Sequence, residues 1–428
     1  MNIQDIHNLF LQCKSVSIDT RKIEEDSLFF AIKGENFDAN TFAAKALELG
    51  ALYVIVDNAS YVIDERTIVV DNSLQTLQEL AKFHRTYLKL PIVALTGSNG
   101  KTTTKELINV VLSKKYKAKA TVGNLNNHIG VPLTLLSFTK ETEIGIVEMG
   151  ANHKKEIEFL CEIAQPDYGY ITNFGKAHLE GFGGVEGVIE GKSEMYQYLA
   201  KNDKLVFVNL EDPIQIEKSV GIKSFTFGVN KDSSDLNIKE LSANPFVAIA
   251  YNNFGLKSHL IGLYNANNIN AAVAMGYYFK VDESDIKAAI ESYVPENNRS
   301  QLLRKGTNQI ILDAYNANPS SMAVAISNFL QLENDNKIMI LGDMFELGDE
   351  SQQEHKIVAD SLLNQDKSIC YLIGKSFYEN KVARENVHFF ETFETFAAYL
   401  KTLHFNENTI LIKGSRGMAL ERTLEFID

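Results

Sequence analysis

A chain of 428 residues is too long for a single hydrophobic core and is expected to divide into three domains. Hydrophobic residues at 45% and charged residues at 23% are globular proportions that exclude a disordered or collagen-like chain, and a formal charge of −13 with no dense Lys/Arg run argues against nucleic acid or anionic lipid as partner. Cys13, Cys161 and Cys370 form neither a C-x-x-C pair nor an even set, and no apolar leader or membrane span is visible, so a cytoplasmic chain in a reducing compartment is expected.

Residues 1–88 hold short apolar strand candidates, 27–32 and 52–56, alternating with helix-like stretches at 41–49 and 74–88, the pattern of a small α/β unit. Pro91 opens a second domain, expected over 89–295. A buried-strand run, Ile92-Val93-Ala94-Leu95-Thr96, leads through a glycine-bearing loop into a helix from about 102 to 113, and further apolar runs follow at 144–148, 168–172 and 205–208. Helix-like segments separate these runs, so a doubly wound, mostly parallel sheet is expected. The proline and polar cluster at 293–298 marks a hinge, after which strands at 310–312, 338–341, 370–373 and 410–412 recur with helices between them. A third, Rossmann-like α/β domain over 296–428 accounts for them.

The loop Thr96-Gly97-Ser98-Asn99-Gly100-Lys101-Thr102-Thr103 lies between strand and helix, where backbone N–H groups and the helix dipole attract phosphate oxygens. Gly97 and Gly100 permit close approach, Lys101 supplies a cation to a nucleotide's outer phosphates, and the Thr102 hydroxyl suits Mg²⁺. Only two residues separate the glycines, unlike the common G-x-x-x-x-G-K-[ST] loop, and a plain glycine turn starting a helix is the bland alternative. Glu148 ends the apolar run 144–148, where ligands of an open α/β sheet gather, so it is a magnesium candidate as well as an ordinary strand-end acid.

With its shortened glycine spacing, this loop resembles that of the Mur ligases and the related folylpolyglutamate synthetases, which activate a carboxylate with ATP. Other segments carry the resemblance across almost the whole chain. In Thr172-Asn173-Phe174-Gly175-Lys176-Ala177-His178, His178 matches a family histidine that helps bind a second Mg²⁺. Lys192, in Glu190-Gly191-Lys192-Ser193, matches a family lysine that reacts with CO₂ to form a carbamate, giving Mg²⁺ anionic oxygens in place of an ammonium; an exposed lysine is the alternative. Gly262-Leu263-Tyr264-Asn265-Ala266-Asn267-Asn268 resembles an asparagine signature near the adenine, with Asn268 the chosen contact, although asparagines also serve as turn or cap residues. Arg299 resembles a hinge arginine that reaches the phosphates, and Asp313 a ribose-binding acid; surface salt bridges are the alternative for both.

The run Asp313-Ala314-Tyr315-Asn316-Ala317-Asn318-Pro319-Ser320-Ser321-Met322 resembles the branch of the family that adds D-alanyl-D-alanine, and no D-N-P-R motif of the lysine- or diaminopimelate-adding branch occurs. Tyr315, Asn316, Asn318, Asp343, Lys413, Ser415 and Arg416 are therefore acceptor candidates, Lys413 and Arg416 for the dipeptide carboxylate and Asp343 for its amine. In the first domain Ser17, Asp19, Thr20, Arg21 and Lys33 resemble a UDP-sugar module that a folylpolyglutamate synthetase lacks, while Thr121, Asn124, Asn126 and Asn127 resemble residues contacting the muramoyl side. The resemblance implies a monomeric ligase using ATP and two Mg²⁺ ions, with UDP-N-acetylmuramoyl-tripeptide and D-alanyl-D-alanine as substrates. Its rivals are another Mur-type or folate-type ligase and a nonhydrolysing nucleotide-binding scaffold.

Overall fold

The run Ile92–Thr96 is buried at all five residues because helices cover both faces of the strand it forms, which is why it reads as continuously apolar rather than alternating. It is β5 of a computed structural model that describes residues 1–427 except Asn253, Asn297, Asp335, Asn364, Asp366 and Lys367. The hinge cluster expected at 293–298 includes Asn297, which lies outside the described residues.

Three sheets follow one another along the chain. The first holds β1 (Ser15–Ser17), β2 (Ser27–Phe30), β3 (Ala51–Val56) and β4 (Thr67–Val69) in sequential order, all parallel. The second has nine strands: β5, β6 (Ala118–Ala120), β7 (Ile144–Glu148), β8 (Tyr168–Ile171), β9 (Leu205–Asn209), β10 (Lys223–Val229), β11 (Leu236–Ala243), β12 (Phe246–Tyr251) and β13 (Phe254–Ile261). Their order is β13-β12-β11-β10-β9-β8-β5-β7-β6. The third contains β14 (Gln301–Lys305), β15 (Asn308–Asp313), β16 (Lys337–Gly342), β17 (Ser368–Ile373), β18 (Val387–Phe390) and β19 (Thr409–Lys413), ordered β14-β15-β19-β16-β17-β18. This is a three-domain α/β fold with a doubly wound central sheet.

In the nine-stranded sheet β11-β12 and β12-β13 are antiparallel and the remaining pairs parallel. The antiparallel extension escaped the sequence reading because only one of its faces is covered. Residues of β12 alternate strictly between half-buried and buried, a weaker signal than the apolar blocks of β5 and β7. Strand β14 was missed for a similar reason: it is a half-buried edge strand, antiparallel to β15.

β5 lies between β7 and β8, so the direction of strand progression reverses at its end and a crevice opens beyond the carboxyl ends of all three. Behind the crevice, helix Ser73–Leu88 joins the first domain to the second. Asn72 caps its start by accepting from the Gln75 N–H at 2.8 Å. Its Arg85 donates to the carbonyls of Ala164 and Gln165 and to Asp167, all in the central domain. On the same helix His84 meets His7 of helix Ile3–Phe10 at 3.0 Å, and its other ring nitrogen lies 2.9 Å from the Phe138 carbonyl.

Burial first, and His84 second, push the His7 pKa from 6.5 down to about 4. Below pH 6.5 the unfolded chain therefore takes up a proton that the folded chain refuses. This contribution is complete above pH 6.5 and is lost as pH falls toward 4. On going from pH 7 to 5 the wild-type melting temperature is expected to fall further than that of His7→Gln, by about 2–4 °C. Thermal melts of both proteins across that range are the check, and parallel curves would exclude the contribution.

Candidate active site

The phosphate-type loop is shaped by neighbours that occupy the space where its glycines have no side chain. Gly97 (φ 143) sits so close to Thr172, just past β8, that a Cβ would meet the Thr172 hydroxyl at 1.9 Å. Gly100 (φ 79) is left-handed, and a Cβ there would lie 2.4 Å from Asn268 Oδ1. Within the loop the Ser98 N–H donates to the Asn173 carbonyl and the Asn99 N–H to Asn173 Oδ1, so those two donors are spent on the β8 loop. The donors left open to an anion are instead the first-turn N–H groups of helix Lys101–Leu112, which have no intrahelical acceptor. Asn173 thus shapes the loop, a role its position after β8 did not signal.

Lys101 curls back over the loop and donates to the Gly97 carbonyl at 2.7 Å and to that of Ser98 at 3.3 Å. Burial first lowers its pKa; Glu148 opposes the shift and Arg299 adds to it. Glu148, at the end of β7, is 1% exposed. Its Oε1 accepts from Asn126 Nδ2 at 2.8 Å and from the Thr102 hydroxyl at 3.3 Å, while Oε2 has no hydrogen-bond partner among the described residues. A buried carboxylate oxygen left open beside a threonine hydroxyl suits one Mg²⁺, a cation commonly held by one or two carboxylates and by substrate phosphates. No cluster of three or more His, Cys, Asp or Glu side chains able to hold a metal occurs among the described residues. Any metal here would rely on such mixed ligands.

These groups open onto a cavity of about 940 Å³ between the central and third domains. From the central domain it is lined by the loop residues Ser98–Thr103, by Asn124, Asn126, Asn127 and Glu148, and by His178 and Asn268. From the hinge and third domain come Arg299, Asp313, Tyr315, Asn316, Asn318, Lys413, Ser415 and Arg416. The Arg299 guanidinium stacks on the Tyr315 ring at 3.6 Å, and Lys413 donates to Asp313 at 2.6 Å and to the Asn316 carbonyl at 3.2 Å. Asn318 caps helix Pro319–Gln331 and reaches across to Asn99 Oδ1 at 2.7 Å. Arg416 pairs with Glu421 at 2.7 Å, and the Ser415 hydroxyl accepts from the Phe345 N–H at 2.9 Å.

Other candidates have different surroundings. Asp343 does not line the cavity; it is 4% exposed and accepts from the N–H groups of Ser376 and Phe377, capping helix Lys375–Glu379, so it is not placed to orient an incoming amine. Thr121 is 2% exposed, and its hydroxyl accepts from the Glu148 N–H at 2.9 Å, holding the end of β7 instead of facing a substrate. Asn268 is buried, accepts from the Thr104 hydroxyl and donates to Asn265, so it braces the loop while touching the cavity. Lys192 is fully buried on helix Val185–Lys201, its amine 5.0 Å from the Phe182 ring. It packs near helix Glu156–Ala164, whose Glu156, Phe159 and Leu160 form cavity wall. Burial first, then Lys101, brings its pKa down to about 7 against the pull of Glu156 and Glu194.

The first-domain candidates lie away from this cavity. Ser17, Asp19, Thr20 and Arg21 form a turn in which Asp19 accepts from the Arg21 backbone and guanidinium. Arg21 is exposed, and Lys33 is exposed on a short bridge to Asp38.

Comparison with known proteins places this geometry. Residues 12–86 match the Mur ligase family catalytic domain, residues 95–276 the Mur ligase middle domain, and residues 298–416 the Mur ligase glutamate ligase domain. The UDP-N-acetylmuramoyl-tripeptide–D-alanyl-D-alanine ligase of Bacillus subtilis is 35% identical, with 96% of this chain and 92% of the relative aligned. The ligase of that name from Escherichia coli is 33% identical over 96% and 92%. Among solved structures, MurF from Acinetobacter baumannii superposes with a TM-score of 0.86 at 29% identity, covering 99% of this chain and 98% of that one. MurF ligase from Thermotoga maritima in complex with ADP gives 0.84 at 28% identity, covering 97% of each. The chain belongs to the Mur ligase family.

Proposed function

We propose that this protein is the ATP-dependent ligase that joins D-alanyl-D-alanine to UDP-N-acetylmuramoyl-tripeptide, forming the pentapeptide precursor of peptidoglycan with release of ADP and phosphate. The observation that carries the reading is the meeting, in one cavity, of an anion-binding helix start, Lys101 and Glu148 with Arg299, Asp313 and Lys413 from the hinge and third domain. The names of the full-length relatives supply the substrates.

A carboxylate does not condense with an amine in water, because its oxygen is a very poor leaving group. In the proposed reaction the tripeptide carboxylate attacks the γ-phosphorus of ATP, ADP departs, and the dipeptide amine displaces phosphate from the resulting acyl phosphate. The first-turn N–H groups of helix Lys101–Leu112 and the Lys101 ammonium hold phosphate oxygens where charge develops. Thr102 and Glu148 would hold one Mg²⁺, with His178 and a carbamate at Lys192 as candidates toward a second; bound Mg²⁺ would neutralise charge on the transferring phosphoryl group. Arg299 is positioned by its stack on Tyr315, and Asp313 and Lys413 form the third-domain wall, toward ribose and acceptor. Coverage by that domain keeps water from the acyl phosphate.

The turn at Ser17–Arg21 with Lys33 remains our candidate for the UDP moiety, and Asn124, Asn126 and Asn127 for the muramoyl side. A cytoplasmic monomer is part of this reading; no helix of the described residues is long and apolar enough to cross a membrane.

With ATP, Mg²⁺ and UDP-muramoyl tripeptide, ADP release is expected only when D-alanyl-D-alanine is the acceptor. Turnover with glutamate, D-glutamate, lysine or diaminopimelate would overturn the acceptor assignment, and nucleotide binding without turnover in any mixture would favour a scaffold. Gly100→Ala puts a methyl group against Asn268 in a left-handed backbone, so kcat/KM for ATP is expected to drop about 100-fold in steady-state kinetics.

The neutral Lys192 amine is the form that attacks CO₂, giving a carbamate and releasing a proton. Because its pKa is about 7, labelling by ¹³C-bicarbonate, followed by ¹³C NMR, is expected to be strong at pH 8 and to fade as pH drops below 7. Lys192→Ala should lack the signal and the activity, and short carboxylates should restore part of the activity. A wild-type protein without the signal would rule the carbamate out.

A further inference from the structure

The loop after β8 is gripped by the third domain at several points. The Lys176 N–H donates to Ser320 Oγ at 2.8 Å, and the Lys176 ammonium donates to Glu354 at 2.5 Å. Glu346 approaches the same loop at two further points: a carboxylate oxygen touches His178 Nδ1, short of hydrogen-bond alignment, and its carbonyl accepts the Glu180 N–H at 3.5 Å. His178 and Glu346 both have left-handed backbones, with φ of 53° and 61°, a conformation an ordinary residue adopts at a cost. The two unusual backbones accompany a contact between one side chain from each domain on the wall of the cavity, which both residues line.

An imidazole has two nitrogens, and a carboxylate on one fixes the ring's rotation and the protonation of the other. With Glu346 on Nδ1, Nε2 is the nitrogen left to serve a cation or phosphate oxygen. We propose that Glu346 is a positioning residue for His178: the third domain delivers the carboxylate that orients a central-domain ligand, so the phosphate site is complete only when the acceptor domain is seated. This rests on the reading of His178 as a cavity ligand. It ties formation of the water-sensitive acyl phosphate to the presence of the domain that brings the amine. Lys176–Glu354 crosses the same boundary without touching His178, and so offers an internal control for plain adhesion between domains.

The test uses full-length Glu346→Ala, Glu346→Gln, Glu354→Ala and His178→Ala proteins, with steady-state kinetics and Mn²⁺ titration of the ADP-bound protein by electron paramagnetic resonance. Glu346→Ala is expected to lower kcat and weaken Mn²⁺ binding about 10–100-fold, with KM for the UDP-linked tripeptide unchanged. Glu346→Gln, which keeps an oxygen for Nδ1–H, should recover much of both, and Glu354→Ala should alter neither. Equal losses of kcat in Glu346→Ala and Glu354→Ala with Mn²⁺ affinity intact would overturn the proposal and leave Glu346 as adhesion. A His178→Ala protein with normal kcat and Mn²⁺ binding would instead overturn the ligand reading of His178. Should Glu346→Ala not fold, Glu346→Asp retracts the carboxylate while keeping its charge, and the same losses are expected.

Discussion

The close approach of Thr172 to Gly97 and of Asn268 to Gly100 is the constraint on which the site depends. Because neither glycine carries a Cβ, the end of β8 and helix Tyr264–Tyr278 both press on the loop after β5. The loop cannot relax, and the first turn of helix Lys101–Leu112 faces a fixed point in the crevice. Glu148 reaches the same point from β7 because β7 is the parallel neighbour of β5, with Glu148 in register with Leu95. The phosphate-binding geometry is therefore a property of three adjacent strand ends.

Polar contacts between the central and third domains include Asn99–Asn318, Lys176–Glu354, Lys176–Ser320, His178–Glu346 and Leu263–Asn328, beside apolar residues of both domains that share one buried cluster. Each bond or partly exposed pair of this kind contributes on the order of 1 kcal/mol or less, so their sum is a few kcal/mol. That is small enough for substrates bound in the cavity to shift the balance between seated and unseated arrangements. Breakable polar contacts of this kind suit an enzyme that must admit a nucleotide, a large sugar-linked peptide and a dipeptide, then exclude water.

Two buried ionisable groups carry a stability cost that the proposed chemistry would offset. Glu148 keeps a buried oxygen without a hydrogen bond, and Lys192 is wholly enclosed with its pKa brought down to about 7. Burial of such groups is costly for stability, and a paired or apolar residue would serve packing better. Glu148 lines the cavity and Lys192 lies behind helix Glu156–Ala164, part of the cavity wall, where the proposed cation and carbamate would offset that cost.

Much of the architecture was legible in the residues alone. Continuous apolar blocks such as Ile92–Thr96 and Ile144–Glu148 must be strands covered on both faces, and a glycine-bearing loop between strand and helix must present helix N–H groups, because both follow from local sterics and burial. The half-buried strands β12 and β14 were not legible, since alternation over the six residues of β12 is a weak pattern without its partner strand and the five of β14 bury no face at all. Polar side chains were the least legible. Thr121, Asp343 and Asn268 all stand in motifs beside the cavity, yet they hold the Glu148 N–H, a helix start and the Thr104 hydroxyl. The meeting of His178 with Glu346, 168 residues apart in the chain, depends on how two domains sit against each other. Period and spacing report which face of an element is buried; which distant donor meets which acceptor is decided only when the chain folds, because hydrogen bonds reach about 3 Å and depend on tertiary placement.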